Sequence, residues 1–185
     1  MIAGTARGRR LVAPAGDATR PTADRVREAT FNALHSLGAI EDAEVLDLFA
    51  GSGALGIEAL SRGAAHATFV DHDRRAADAV RANLDTTGLA EAATVLVASV
   101  ERVLDDAAGS GRRWDLALVD PPYAFDRWDA LLTTIPADLV VAESDRPVPL
   151  PEGWRAIRER RYGATLVAIV RPPPAGSPRG PDLPE

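Results

Sequence analysis

The sequence predicts one α/β domain built on an open, mostly parallel sheet, and three observations lead there. Short apolar runs alternate with amphipathic stretches between Glu44 and Ala142, the order expected of successive strand and helix units. The run Glu44-Val45-Leu46-Asp47-Leu48-Phe49 passes straight into Ala50-Gly51-Ser52-Gly53-Ala54-Leu55-Gly56 and then a helix, with the acid Asp71 closing the next run. A later run, Leu116-Ala117-Leu118-Val119, stops abruptly at Asp120-Pro121-Pro122-Tyr123, which reads as a buried strand carrying a rigid polar tip.

A length of 185 residues suits a single domain with a sizeable core. Residues 1–19 mix glycine, proline and arginine and read as a basic arm or hairpin, with Arg10-Leu11-Val12 as a short strand. The domain itself is expected over 20–171, and 172–185, rich in Pro, Gly and Ser, as a disordered tail. No apolar run reaches membrane-spanning length and the N-terminus has no signal-type core, so a soluble, cytoplasmic protein is expected. With no cysteine, and with His35, His66 and His72 isolated from one another, neither disulfides nor a metal site is expected. All 21 basic residues are arginine, a planar donor suited to phosphates and base faces. The net charge of −6 speaks against a polyanionic partner, but its distribution does not. Arg7, Arg9, Arg10, Arg20, Arg25 and Arg27 outnumber three acids before residue 32, and five arginines face only Glu159 between 154 and 171.

Each element follows in turn. Arg20 to Leu34 opens like a helix, with Thr22 as N-cap and Val26, Ala29 or Thr30, Ala33 and Leu37 on one face. The first strand and its glycine loop lead to a helix through Ile57 to Arg62, ended by Gly63. Ala67 to Val70 is the second strand, and Arg74 to Thr86 a helix with Ala77, Val80, Ala82 and Leu84 near its buried side. Gly88 stops it, Thr94 to Ala98 forms the third strand, and Val100 to Ala107 a further helix before a loop at Gly109-Ser110-Gly111. After the strand that ends at Asp120 come a short helix from Arg127 to Thr134 and a strand from Asp138 to Ala142, followed by Glu143. Trp154 to Arg160 and Thr165 to Val170 read as a closing antiparallel pair joined by Tyr162-Gly163.

The glycine loop by itself admits nicotinamide, flavin or S-adenosylmethionine, because small residues let a ligand approach the backbone and the helix N-terminus offers free N–H groups. Asp71, 20 residues after Gly51, has the spacing of an acid that reaches ribose hydroxyls. Asp47, inside the first strand, must be paired there, with a cofactor ammonium or with loop amides. Ala50, Gly51 and Gly53 would line the cofactor, His72 the adenosine side, and Ser99 and Val100 an adenine pocket. The polar tip separates the cofactor choices. A planar exocyclic amine is a poor nucleophile, and two acceptors, the Asp120 carboxylate and the Pro121 carbonyl, would favour a tetrahedral nitrogen facing an electrophile. Pro122 would stiffen the turn and Tyr123 stack on the base. Hydride transfer has no use for such a tip.

Taken together, Asp47-Leu48-Phe49-Ala50-Gly51-Ser52-Gly53-Ala54-Leu55-Gly56, Asp120-Pro121-Pro122-Tyr123, and Gly8-Arg9-Arg10-Leu11 with Arg20-Pro21-Thr22-Ala23-Asp24-Arg25-Val26-Arg27-Glu28 resemble the RsmD family. Its members are bacterial 16S ribosomal RNA guanine-N2 methyltransferases, and the likeness spans roughly residues 3 to 170. The resemblance implies a class I methyltransferase fold, Rossmann-like, with seven strands and the last one antiparallel. It implies S-adenosylmethionine as cofactor, and 16S ribosomal RNA, in an assembling small subunit, as partner. Arg7, Arg9, Arg10, Arg20 and Arg25 would then contact RNA. Two departures stand out: Ala98-Ser99-Val100 lacks the acid or amide that relatives often carry after the third strand, and arginine replaces every lysine. The glycine loop and D-P-P-Y without the opening segment would equally fit a DNA adenine-N6 or protein glutamine-N5 methyltransferase. Outside that class, a nicotinamide-dependent oxidoreductase or a silent RNA-binding module remains as an alternative.

Overall fold

The computed structural model describes residues 1–12, 21–122 and 124–174. Arg20, Tyr123 and most of the expected tail lie outside the described residues. Seven strands form one sheet in the order β3-β2-β1-β4-β5-β7-β6. They are β1 (Glu44–Leu48), β2 (His66–Asp71), β3 (Ala93–Val97), β4 (Trp114–Val119), β5 (Ala137–Ser144), β6 (Arg155–Tyr162) and β7 (Thr165–Arg171). The first five are mutually parallel, and β7 runs antiparallel to both β5 and β6. The last strand is therefore the reversed one, as the sequence led us to expect.

Among the described residues there are five α-helices: α1 (Pro21–Ser36), α2 (Ala54–Ser61), α3 (Arg74–Thr87), α4 (Val100–Ser110) and α5 (Trp128–Thr134). Alternate strand residues point to opposite layers. Val45, Phe69, Leu116, Leu118, Val141, Val167 and Ile169 pack under α1, α2 and α3. Leu46, Leu48, Val70, Ala117, Val119, Val140 and Val170 pack under α4 and α5. Each fully buried aliphatic or Phe side chain contributes about 1.5–3 kcal/mol, which is why the central strands read as unbroken apolar runs. Edge strand β6 is the exception, exposed from Arg155 to Arg161.

Several sequence expectations require correction. Helix α1 starts at Pro21, in the first turn, where its missing N–H costs nothing. Its inner face carries Phe31 and Leu34, whereas Leu37 falls beyond the helix and is 44% exposed. In α3, Ala77, Val80 and Leu84 are buried as expected, but Ala82 faces solvent and Ala76 and Asn83 are buried in addition. Helix α4 runs through Gly109 to Ser110, and Tyr162 belongs to β6 rather than to the turn. Phe49 lies beyond β1 with φ +59, a left-handed conformation rare for a residue with a side chain.

Residues 1–12 contain no strand, so Arg10-Leu11-Val12 does not form one. Side chains of the domain take up this segment's backbone groups instead. Glu58, fully buried, accepts the N–H groups of Ile2 and Ala3 at 2.9 and 3.1 Å and the Arg62 Nε at 2.7 Å. Ser61 Oγ accepts from the Ala6 N–H and donates to the Ala3 carbonyl. Asn83 closes the series: its Oδ1 accepts from the Val12 N–H, and its Nδ2 donates to the carbonyls of Val12 and Ser52.

Candidate active site

The site is assembled where β1, β2, β4 and β5 end, because parallel strands deliver all their following loops to one edge of the sheet. Beyond β1, Phe49 turns the chain and Gly51 and Gly53 continue at φ +54 and +75. A Cβ at Gly51 would meet only the Phe49 carbonyl, 3.9 Å away, so this part of the loop faces open space. Gly56, in α2, has the opposite surroundings. A Cβ there would stand 2.4 Å from Phe69 Cε1 and 2.9 Å from Asp47 Oδ2, so only glycine lets the helix lie this close to the sheet.

Asp47 and Asp71 both brace the loop. Asp47 is 2% exposed, and its Oδ2 accepts the Gly56 N–H at 2.9 Å. That N–H belongs to the first turn of α2. Burial pushes the Asp47 carboxyl up to about 8, and nearby Asp120 and Asp71 push the same way against the Gly56 N–H. Asp71 Oδ2 accepts the Gly51 N–H at 2.9 Å, and its Oδ1 accepts the Asp73 N–H at 2.9 Å. Its side chain is half-buried at the loop. Ala50 is buried, and its N–H bonds the Val70 carbonyl. His72 is exposed, with Nδ1 3.6 Å from Asp71 Oδ1. Ser99 is the N-cap of α4, accepting the Arg102 N–H, and Val100 is buried beneath it. Glu101 pairs with Arg127 at 2.7 Å, tying α4 to the start of α5.

Beyond β4, Asp120 is exposed, Pro121 buried and Pro122 exposed. Strand alternation sends Asp120 to the layer of Leu118, where Asp47 also points. The Pro122 carbonyl accepts the Phe125 N–H at 2.8 Å, whereas among the described residues no hydrogen bond reaches the Pro121 carbonyl. The tip is held to the glycine loop through rings: Phe125 meets Phe49 edge-on at 5.6 Å and Trp128 at 5.3 Å. Arg146 fixes the same turn by donating to the Phe125 carbonyl.

Sequence reasoning missed Glu143. It follows Ala142, which lies opposite Val119, so it is level with Asp120 across the β4–β5 ladder and on the same face. Burial pushes its carboxyl up to about 8, with Asp120 and Asp47 adding to the shift and Arg27 of α1 opposing it. The expected RNA contacts among the described residues, in contrast, do not cluster here. Arg7, Arg9 and Arg10 are exposed, but residues 5–9 bond the C-terminal turns of α2 and α3, at the sheet edge opposite Asp120. Arg9 is occupied there by the Thr86 carbonyl. Arg25 is exposed on α1. Among the described residues there is no cluster of three or more His, Cys, Asp or Glu able to hold a metal, and no helix long and apolar enough to cross a membrane.

This strand order, with a glycine loop after β1 and an Asp-Pro-Pro tip after the adjacent β4, defines a class I methyltransferase. The cofactor of that class, S-adenosylmethionine, fits the residues present: open space over Gly51, an acid at the end of β2, and a capped helix after β3. The chain belongs to the family described as Conserved hypothetical protein 95, the RsmD family, which matches residues 1–171. The protein named ribosomal RNA small subunit methyltransferase D of Escherichia coli K12 is 43% identical over 92% of this chain and 88% of its own. Its namesake in Haemophilus influenzae is 35% identical over 88% of each. The solved structure of a hypothetical protein from Thermus thermophilus superposes with a TM-score of 0.77 at 34% identity, covering 91% of this chain and 96% of that one.

Proposed function

We propose that the protein methylates the exocyclic N2 amine of a guanine in 16S ribosomal RNA, using S-adenosylmethionine. The observation that carries this reading is the juxtaposition of Asp120 and the Pro121 carbonyl with the glycine loop, across the β1–β4 pair in which Leu48 lies opposite Val119. Relatives named for small-subunit ribosomal RNA support the substrate class, and guanine-N2 as the target atom rests on the family resemblance.

In this reading S-adenosylmethionine supplies an already activated methyl group, so the protein's task is alignment. Asp71 holds the ribose hydroxyls while keeping Gly51 in place. Asp120 and the Pro121 carbonyl each accept one amine N–H, turning the nitrogen lone pair toward the methyl group. The Asp120 carboxylate presents negative charge to the nitrogen, which favours the cation developing there. Near neutral pH Glu143 carries a proton beside Asp120. Tyr123 stacks on the extruded base. Arg7, Arg9, Arg10, Arg20 and Arg25 supply phosphate contacts. The work is cytoplasmic, on an assembling small subunit.

The test is single-turnover methyl transfer to 16S RNA, naked or in partly assembled subunits, read by nucleoside mass spectrometry. Asp120→Ala should raise the barrier by about 2.7–4 kcal/mol and leave cofactor affinity intact, and Asp120→Asn should retain part of the activity. Full activity in Asp120→Ala would make the acid structural. Absence of N2-methylguanosine from the wild-type reaction would refute the assigned target.

A further inference from the structure

We propose that the groove between α1 and the outer strand β6 binds the phosphodiester backbone of the RNA next to its target base. The inference rests on the RNA-methyltransferase reading and adds to it a surface that the sequence analysis noted only as a run of charge.

Four of the eight residues of β6 are arginines, Arg155, Arg158, Arg160 and Arg161, against the single acid Glu159. The ladder with β7 places Arg158 opposite Ile169, Arg160 opposite Val167 and Tyr162 opposite Thr165. Val167 and Ile169 belong to the core beneath α1, so Arg158, Arg160 and Tyr162 point to that same layer. There they form one wall of a shallow groove, with Ala29, Thr30 and Ala33 of α1 as the other. Arg25, exposed and one helical turn before Ala29, lies on the same side of α1. No acid lines the groove.

Several arginines elsewhere on the protein are already engaged. Arg27, Arg62, Arg113 and Arg127 are each ion-paired, and Arg161, on the other face of β6, donates to the carbonyls of Asp145 and Ala164. Among the described residues, Arg158 and Arg160 form neither an ion pair nor a side-chain hydrogen bond. Thr30 Oγ1, in the groove's wall, is likewise buried with no partner among them. Two unneutralised guanidiniums over an acid-free groove are complementary to phosphates.

Position names the polyanion. Val119 lies opposite Ala142, Glu143 opposite Val167, and Val167 opposite Arg160, so Arg160 is level with Asp120 and on its face of the sheet. The two are separated by three strand spacings, about 14 Å, or on the order of two to four nucleotides of single strand. A strand whose guanine is seated at Asp120 reaches the groove without leaving the sheet's edge. Arg9, in contrast, is held by the Thr86 carbonyl at the C-terminal turn of α3.

The experiment measures binding of the 16S RNA substrate by the full chain at several salt concentrations, for the wild type, for Arg158→Ala with Arg160→Ala, for the charge-reversed pair Arg158→Glu with Arg160→Glu, and for Arg113→Ala as a control. Melting temperature and S-adenosylmethionine affinity are followed in parallel. Losing two phosphate contacts should make the slope of log affinity against log salt shallower by about 1.4, from about 0.7 per contact on single strands. KM for RNA should rise, more so on charge reversal, while cofactor affinity and melting stay at wild-type values. A wild-type slope and KM in both double variants would overturn the groove while leaving the methyltransferase reading intact, as would an equal loss in Arg113→Ala. If the wild type itself neither bound nor methylated the RNA, the function and the groove would fall together.

Discussion

Replacing Gly56 by alanine adds one methyl group at the point where α2 crosses the sheet, and the geometry sets its cost. The new Cβ would stand 2.4 Å from Phe69 Cε1, 2.8 Å from its Cζ and 2.9 Å from Asp47 Oδ2. Phe69 is fully buried, so its ring has nowhere to swing. Overpacking of this kind costs about 1–3 kcal/mol. If α2 lifts instead, the 2.9 Å bond from the Gly56 N–H to Asp47 opens and strands a buried acceptor, at a similar cost of about 1–3 kcal/mol. By either route the variant should lose about 1–3 kcal/mol in urea unfolding, and S-adenosylmethionine affinity should fall because the same helix closes the cofactor loop. Phe69→Leu in the Gly56→Ala background should recover part of both losses. A Gly56→Ala protein with wild-type stability and cofactor affinity would refute the close-approach explanation.

Three further outcomes are expected. Glu58→Ala should cost about 3–5 kcal/mol, since it removes a buried partner from Arg62 and Arg27, and hydrogen exchange at Ile2 and Ala3 should accelerate; unfolding within about 0.5 kcal/mol of wild type would show the contacts to be incidental. Asp47 keeps in the fold a proton that the unfolded chain releases, between its ordinary 3.8 and about 8, so the stability it contributes is greatest below that window and declines as pH rises through it. Asp47→Asn, which still offers Gly56 an acceptor, should therefore gain on the wild type with rising pH, by up to about 1.4 kcal/mol per unit, and a difference constant across the window would count against the shift. Asp71→Ala should weaken S-adenosylmethionine binding by about 1.5–3 kcal/mol, measured calorimetrically; unchanged affinity in the folded variant would remove Asp71 from the site.

Much of the fold was legible because the strands are buried on both faces and flanked by turn residues. Leu116 to Val119 and Leu139 to Ala142 have few other uses in a chain of this size. Glycine stops at Gly63 and Gly88 were equally plain. What stayed hidden depends on contacts far apart in sequence. Nothing near Glu58 or Asn83 says that each will hold a backbone 55 or 71 residues away, so the arm looked free when its first 12 residues are fastened. Leu37 and Ala82 were misassigned because apolar periodicity continues past the point where the helix leaves the core or turns outward. In the candidate site, spacing and tip chemistry single out Asp71, Gly51 and Asp120, and the fold brings their strand ends to one edge of the sheet. Glu143 could not, because its meaning depends on β5 being the neighbour of β4, and local sequence carries no record of strand order.

That strand order also governs how the protein is completed on the ribosome. Strand β7 lies between β5 and β6 although it is made after both. Until residues 165–171 have emerged, β5 presents an unpaired apolar edge and β6 has no neighbour to attach to. A nascent chain halted at the turn after Tyr162 would thus contain six of the seven strands yet expose a sheet edge of the kind that recruits other chains. The final seven-residue strand is both the bridge to the arginine-rich edge and the cap on an aggregation-prone intermediate. Premature termination here should yield insoluble protein rather than a slightly shorter enzyme.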